Sequence, residues 1–380
     1  MVVKLADSII SPLGNTSHDN FRAVVEGRSA LAPHSSLLGT ALPEPFFASL
    51  FDWQNLPLNP QFSRFETLAI RAAEQALRQT DVDASAPNVR FFISTTKGNV
   101  EQLALSPENA AETGAGTAVS PTVSAQKIAR FFGNPNISVT ISNACTSGLC
   151  AIIAATRALQ FGLCDVAVVV GAEVQSPFIV SGFQSFKALS PELCRPFDRD
   201  RVGLNLGEAA AAMVLSRADA APANDLPHRW QLGKGAIRND ANHISGPSRT
   251  AEGSLACLQA VCREDDANHL AFINLHGTAT LYNDEMESIA VARAGLLSVP
   301  VNSLKGYFGH TMGAAGVLEV ILSMQAVEQG LVLGTRGFQT LGVSHLLSVS
   351  ADHRSTDRRA FVKLLSGFGG VNAAMRFEFV

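Results

Sequence analysis

Charge is scarce in this sequence. Lysine, arginine, aspartate and glutamate make up 16% of 380 residues, and the formal net charge is -4. No basic run of the kind that tracks phosphates is present, which argues against nucleic acid and anionic lipid as partners. Long apolar runs are missing as well. Val166 to Ala172 stops well short of the roughly 20 residues a membrane-spanning helix needs. The opening MVVKLADSII lacks the extended apolar core of a secretory leader, so a cytoplasmic protein is expected. Cysteine, at six residues, is too sparse for a disulfide framework. Cys145 and Cys150 are five apart, as are Cys257 and Cys262. Neither spacing is the CxxC or HxxxH type that grips zinc, and no metal is expected. Gly367-Phe368-Gly369-Gly370 lacks the lysine of a phosphate loop, which argues against nucleotide binding there.

What is abundant is apolar. Hydrophobic residues make up 47% of the chain, enough for two domains, or two halves of one, each with a real core. Val2 to Ile9 reads as a strand. Residues 40 to 60, rich in proline and aromatics and without periodicity, read as a long ordered loop over a surface or pocket. Ser63-Arg64-Phe65-Glu66 fits a capping box, and the helix after it lines up Leu68, Ala69, Ala72, Ala73, Ala76 and Leu77 on one stripe. Asn88 to Thr95 is the next strand, and Ser124 to Phe132 is helical. A short strand, Ile137 to Ser142, precedes a helix from Gly148 to Gly162. Asp165 to Val174 is nearly all apolar, as expected of a strand covered on both faces. The polar, proline-containing stretch 218 to 228 is the best internal boundary, dividing the chain into 1–220 and 221–380. Beyond it a strand, Ala271 to Leu275, and helices Glu285 to Ala294 and Gly313 to Gln329 continue the alternation. Two α/β halves with mixed, helix-covered sheets are expected.

Cys145 in NACTSG lies between a strand end and a helix start. A thiol there is either a small buried hydrophobe or a nucleophile. A helix N-terminus favours the thiolate, and its free amides can hold an oxyanion. His276 in LHGTAT and His310 in GYFGHTMGAAG each sit at a strand–helix junction among small residues, and Lys305 precedes His310 by five positions. Carboxyl ends of strands are where sites assemble in α/β folds.

Taken together, NACTSG, HGTAT-LYND, NSLKGYFGHTMGAAG and SGFGGVNAA resemble, in order and separation, the motifs of the β-ketoacyl-acyl carrier protein synthases of the Cys-His-His branch. CRPFDRDRVGLNLGEAAA is similar to a further family segment. The resemblance implies a thiolase-like duplicated fold in αβαβα layers with mixed five-stranded sheets, usually dimeric. It implies a decarboxylative Claisen condensation with no resident cofactor, the phosphopantetheine arriving on an acyl carrier protein. By that resemblance Cys145 takes the acyl chain. His276 and His310 assist decarboxylation of the malonyl thioester and steady the enolate, and Lys305 organises them with Glu319. Thr278, Thr280 and Gly369 contact substrate. Phe368 gates, and its amide with that of Cys145 forms the oxyanion hole. Arg64 resembles a carrier-docking position, with a solvated helix-end arginine as the alternative.

The sequence departs from the family pattern at Ala279, Leu281-Tyr282, Val202, Ala209 and Val371, none of which removes a catalytic group. Fatty-acid elongation and specialised polyketide or aryl-polyene assembly both stay open. So do a homodimer and a heterodimer with a related synthase. The competing functions are a non-condensing chain-length-factor subunit, a cysteine hydrolase and a carrier-binding module.

Overall fold

The structure is a computed structural model describing residues 1–105, 119–219 and 229–380. Its strands are β1 Val2–Ile10, β2 Ala32–Leu37, β3 Thr40–Ser49, β4 Val89–Ser94, β5 Val139–Ile141, β6 Val166–Glu173, β7 Leu206–Gly207 and β8 Ala209–Arg217. Then follow β9 Trp230–Asn239, β10 Leu270–Asn274, β11 Val301–Asn302, β12 Leu331–Val332, β13 Arg354–Ser355, β14 Ala360–Gly367 and β15 Val371–Phe379.

The main sheet runs β11-β10-β14-β15-β9-β1-β8-β6-β4-β5. Its two halves repeat one pattern. In the first, β1 is antiparallel to β8 and β8 to β6, while β6, β4 and β5 are parallel. In the second, β9 is antiparallel to β15 and β15 to β14, while β14, β10 and β11 are parallel. The chain visits the places in the same order each time, which is the expected duplication. The halves meet where β1 pairs with β9 through Val2↔Leu232 and Val3↔Gln231, so the two expected five-stranded sheets merge into one of ten strands. The boundary expected at 218 to 228 falls almost wholly outside the described residues.

Three apolar cores define the layers. One lies between the sheet halves and draws on the helices Ser147–Gln160 and Ala315–Glu328. The helices Arg64–Leu77 and Pro121–Phe131 cover the outer face of the first half. Glu252–Val261 and Leu281–Arg293 cover the outer face of the second. Ala315–Glu328 is apolar on nearly all sides, as a helix wrapped by protein must be. Strand β8 opens with a run of alanines, whose small side chains let helices approach from both faces. No described helix is long and apolar enough to cross a membrane.

The capping box forms as read: the Glu66 amide donates to Ser63 Oγ and the Ser63 amide to Glu66 Oε2, both at 3.0 Å. The apolar stripe behind it is buried. The expected loop over 40–60 is loop only from Leu50 onward. Its first part is β3, hairpinned to β2 through Leu38 and Gly39, both at positive φ, and parallel to β7. Pro43 and Pro45 obscured that strand. They sit where the β2–β3 register shifts, so they interrupt few ladder bonds.

The two central helices cross at glycines. A Cβ on Gly316 would lie 2.1 Å from the Leu149 amide nitrogen, and one on Gly148 2.9 Å from Gly316. Only hydrogen fits at this crossing, which draws the helix behind Cys145 against the helix carrying Glu319. Gly316→Ala is therefore expected to cost about 1–3 kcal/mol through overpacking. A thermal midpoint lowered by several degrees is the outcome to look for by scanning fluorimetry.

Candidate active site

The elbow at Cys145 is built by backbone strain. Ala144 has φ 47°, in the left-handed region that non-glycine residues rarely enter. The chain leaves β5, turns there and starts the helix at Ser147. Ser147 Oγ locks the turn, accepting from the Asn143 amide at 2.7 Å and donating to the Ala144 carbonyl at 2.6 Å. Gly367 passes so close that a Cβ there would lie 3.2 Å from the Cys145 nitrogen. This brings the next residue, Phe368, over the sulfur, with its amide facing Sγ.

His276 follows β10. Its amide donates to Glu287 Oε1 at 2.6 Å and the next amide, Gly277, to Glu287 Oε2 at 2.7 Å. One carboxylate thus fixes the loop. His310 is held by the first half: its amide donates to the Asn205 carbonyl at 2.7 Å, and its carbonyl accepts from Gly207 at 3.1 Å. The rings stand edge to face, centroids 4.9 Å apart. The ligand atoms of Cys145, His276 and His310 all lie within 4.8 Å of one another. Motifs spread over 165 positions, from 145 to 310, converge on one point.

Two cavities meet there. The first, about 420 Å³, is lined by Cys145, both histidines, Thr278, Thr280 and Phe368, and opens past Tyr282 and Lys187. The second, about 520 Å³ and almost wholly apolar, runs from Cys145 between Phe178, Ile179, Phe183 and Met312. Phe368 lies between them, its ring packed on Phe183 and Phe186 at centroid distances of 5.8 and 5.4 Å.

Residues 2–221 match the family model for the β-ketoacyl synthase N-terminal domain, and 232–339 that for its C-terminal domain. The chain belongs to the β-ketoacyl synthase family. It is 28% identical to 3-oxoacyl-[acyl-carrier-protein] synthase 2 of Vibrio cholerae, over 99% of this chain and 98% of that one. It is 28% identical to the tetracenomycin polyketide synthase ketoacyl synthase alpha subunit of Streptomyces glaucescens, over 82% and 80%. The ketosynthase ApeO from Xenorhabdus doucetiae, solved in complex with its chain length factor ApeC, superposes with a TM-score of 0.87 at 24% identity. That alignment covers 100% of this chain and 98% of that one, and it shares the thiolase-like fold.

Electrostatics in this synthase differ from the sequence reading at one point. The helix N-terminus was expected to lower the Cys145 thiol. Burial dominates instead and pushes it up to about 11, with Lys305 and Lys97 pulling the other way. Both histidines are held well below the ordinary imidazole range, first by burial and then by the Lys305 charge. They are neutral at pH 7. His310 Nδ1 accepts from the Met312 amide at 3.2 Å, which puts the ring proton on Nε2. That Nε2 and the Nδ1 of His276 are buried without a partner among the described residues. A neutral pair of this kind can donate to a forming enolate and take a proton from the thiol.

Lys305 donates to Glu319 Oε1 at 2.6 Å, as the resemblance implies. The Thr278 and Thr280 hydroxyls lie 2.9 Å apart on the cavity wall. Gly369 lines neither cavity: at φ 82° it turns the chain away, and its amide is tied to the Ile244 carbonyl at 2.7 Å. Arg64 is part-exposed at the start of its helix. Its guanidinium lies 4.9 Å over the Trp53 ring. Ala279, where the family pattern has glycine or serine, has φ 64°, in the left-handed region.

The sequence reading missed supporting side chains at three places. Glu287 and Asp284 lie one helical turn apart on the helix after His276 and hold the loop amides; their i, i+3 spacing was the available signal. Glu173 accepts from the Thr96 and Gly313 amides, tying the loop after His310 to the end of β4. Lys363 is the third. Its signal was a lone lysine in the strand AFVKLLSG, a position it can occupy buried only when paired.

Proposed function

We propose that this chain is a carrier-protein-dependent 3-oxoacyl synthase that works in two half-reactions through Cys145. One observation carries the reading: a buried thiol and two neutral imidazoles share one point, where a polar cavity meets an apolar one. Cys145 Sγ attacks the carbonyl carbon of an acyl thioester presented on a phosphopantetheine arm. The bond from that carbon to the arm's sulfur breaks, and the carrier leaves as thiol with the proton that Cys145 gave up through an imidazole. The acyl chain lies in the apolar cavity. Malonyl carrier then enters the first cavity past Thr278 and Thr280. The bond to its carboxylate breaks and carbon dioxide leaves. The electron pair stays as an enolate whose oxygen accepts hydrogen bonds from His276 and His310. The enolate carbon attacks the acyl carbonyl, with the oxyanion held by the Cys145 and Phe368 amides. The bond to Cys145 then breaks, and the thiolate takes up a proton from solvent, relayed by an imidazole, in place of the one that left with the first carrier. No resident cofactor enters.

The partner is an acidic acyl carrier protein approaching the cavity mouth, where Lys187 is exposed. The synthase pairs with itself or with a related subunit and works in the cytoplasm. The relatives span fatty-acid and polyketide enzymes, and the apolar cavity suits an uncharged acyl chain of either kind.

A panel of saturated and conjugated acyl-carrier primers with malonyl carrier, read by mass spectrometry, tests this. A 3-oxoacyl product two carbons longer than the primer is expected, with an acyl adduct on Cys145 before malonyl carrier is added. Free acid without carbon dioxide would make the protein a hydrolase, and no adduct would make it a non-condensing partner.

A further inference from the structure

Lys363 is fully buried in the middle of β14, and its ammonium is surrounded by oxygen. Nζ donates to Glu319 Oε2 at 2.5 Å, to Asn274 Oδ1 at 2.5 Å and to the Leu275 carbonyl at 3.2 Å. The last contact matters most. The Leu275 carbonyl and the His276 amide belong to the same peptide group. Lys363 grips its oxygen, and Glu287 Oε1 accepts from its N–H at 2.6 Å. The peptide that sets the His276 ring is clamped at both ends. Glu319 in turn bridges Lys363 to Lys305, so three elements of the second half converge on one carboxylate.

We propose that Lys363 is a positioning residue for the condensation step, a tethered cation that fixes the His276 peptide against Glu319. This rests on the condensing role proposed above. A buried carboxylate with one cation removed, and a carbonyl with no donor, would force the loop after β10 to relax. The groups facing Lys363 are Glu319, Lys305, Glu287, His276 and His310, and its charge adds to that of Lys305 in disfavouring imidazolium. Cys145 lies on another segment and the Phe368 amide lies beyond the end of β14, five residues from Lys363, and the oxygens that Nζ holds belong to Glu319, Asn274 and Leu275, so the acyl-transfer half-reaction depends on it far less.

The test separates the half-reactions. Lys363→Met fills the space without charge; Lys363→Ala leaves room for a free cation. Each is first checked for a cooperative melt. Acylation of Cys145 by a primer carrier, followed by intact mass, is expected to stay within about threefold of the parent. The kcat for condensation is expected to fall about 10–100-fold, the range for groups that orient a catalytic side chain. The KM for malonyl carrier is expected to change little. Ammonium or methylammonium chloride should restore activity to Lys363→Ala and not to Lys363→Met, with sodium chloride as the ionic-strength control. A folded Lys363→Met with parental condensation would overturn the proposal. So would equal losses in both half-reactions, or a Lys363→Ala indifferent to ammonium. Should neither variant fold, Asn274→Ala, which removes one oxygen of the cage and keeps the charge, is judged by the same split. A parent enzyme with no condensing activity would instead overturn the functional reading and leave the Lys363 geometry intact.

Discussion

Cys145→Ala is expected to abolish condensation, by about 10⁴-fold or more, while the protein keeps its fold. The side chain is small and 7% exposed, and its removal takes away one sulfur from a site that already opens into two cavities. Little packing is lost. What goes is the atom that carries the acyl chain between half-reactions, and no neighbour replaces it: Cys150 is buried on the helix, with its sulfur 3.6 Å from Thr146 Oγ1. Intact mass after mixing with an acyl carrier should show no adduct. Malonyl carrier should still lose carbon dioxide, because both imidazoles remain. A variant that condenses at a tenth of the parental rate would mean that the nucleophile lies elsewhere.

His310→Ala is expected to give the complementary pattern. The acyl adduct on Cys145 should still form. Decarboxylation and condensation should fall by about 10²–10³-fold, the usual loss for one oxyanion donor. The ring offers an Nε2–H with no partner in the described protein, aimed into a space shared with His276. The pH profile of the parent checks the same point. Both imidazoles are held well below 6.5 by burial and the Lys305 charge. As pH falls, each stays neutral past the point where a free histidine charges. The acid limb of kcat should therefore lie clearly below pH 6.5. A limb centred at pH 6.5 or above would mean exposed, ordinary histidines.

Much of this site was legible in the string of letters, for a physical reason. Cys145 and His276 each follow a strand in a loop of small residues, and such loops announce themselves by composition; Lys305 instead opens the short helix Lys305–Phe308 and His310 follows that helix rather than a strand, so those two were legible through the family pattern. Glu319 followed from Lys305 once the family pattern was seen. Lys363 did not, because its role depends on which strands are neighbours. Only the order β10-β14 brings it beside Asn274 and Leu275, and nothing local encodes that order. The β2–β3 hairpin was hidden by two prolines at a register shift. The thiol was read in the wrong direction because a helix N-terminus is visible in sequence and the depth of burial around it is not. Gly369 was assigned to substrate by motif, although its left-handed backbone turns it toward Ile244.

That depth of burial has a further consequence. Peroxide and alkylating agents attack thiolate, and a thiol pushed up to about 11 offers almost none at neutral pH. The sulfur is reactive when a thioester and an imidazole meet it together, and otherwise stays quiet. With Cys145 held as the acid, slow alkylation of the resting protein by iodoacetamide at pH 7 is expected, and rapid alkylation would mean a standing thiolate.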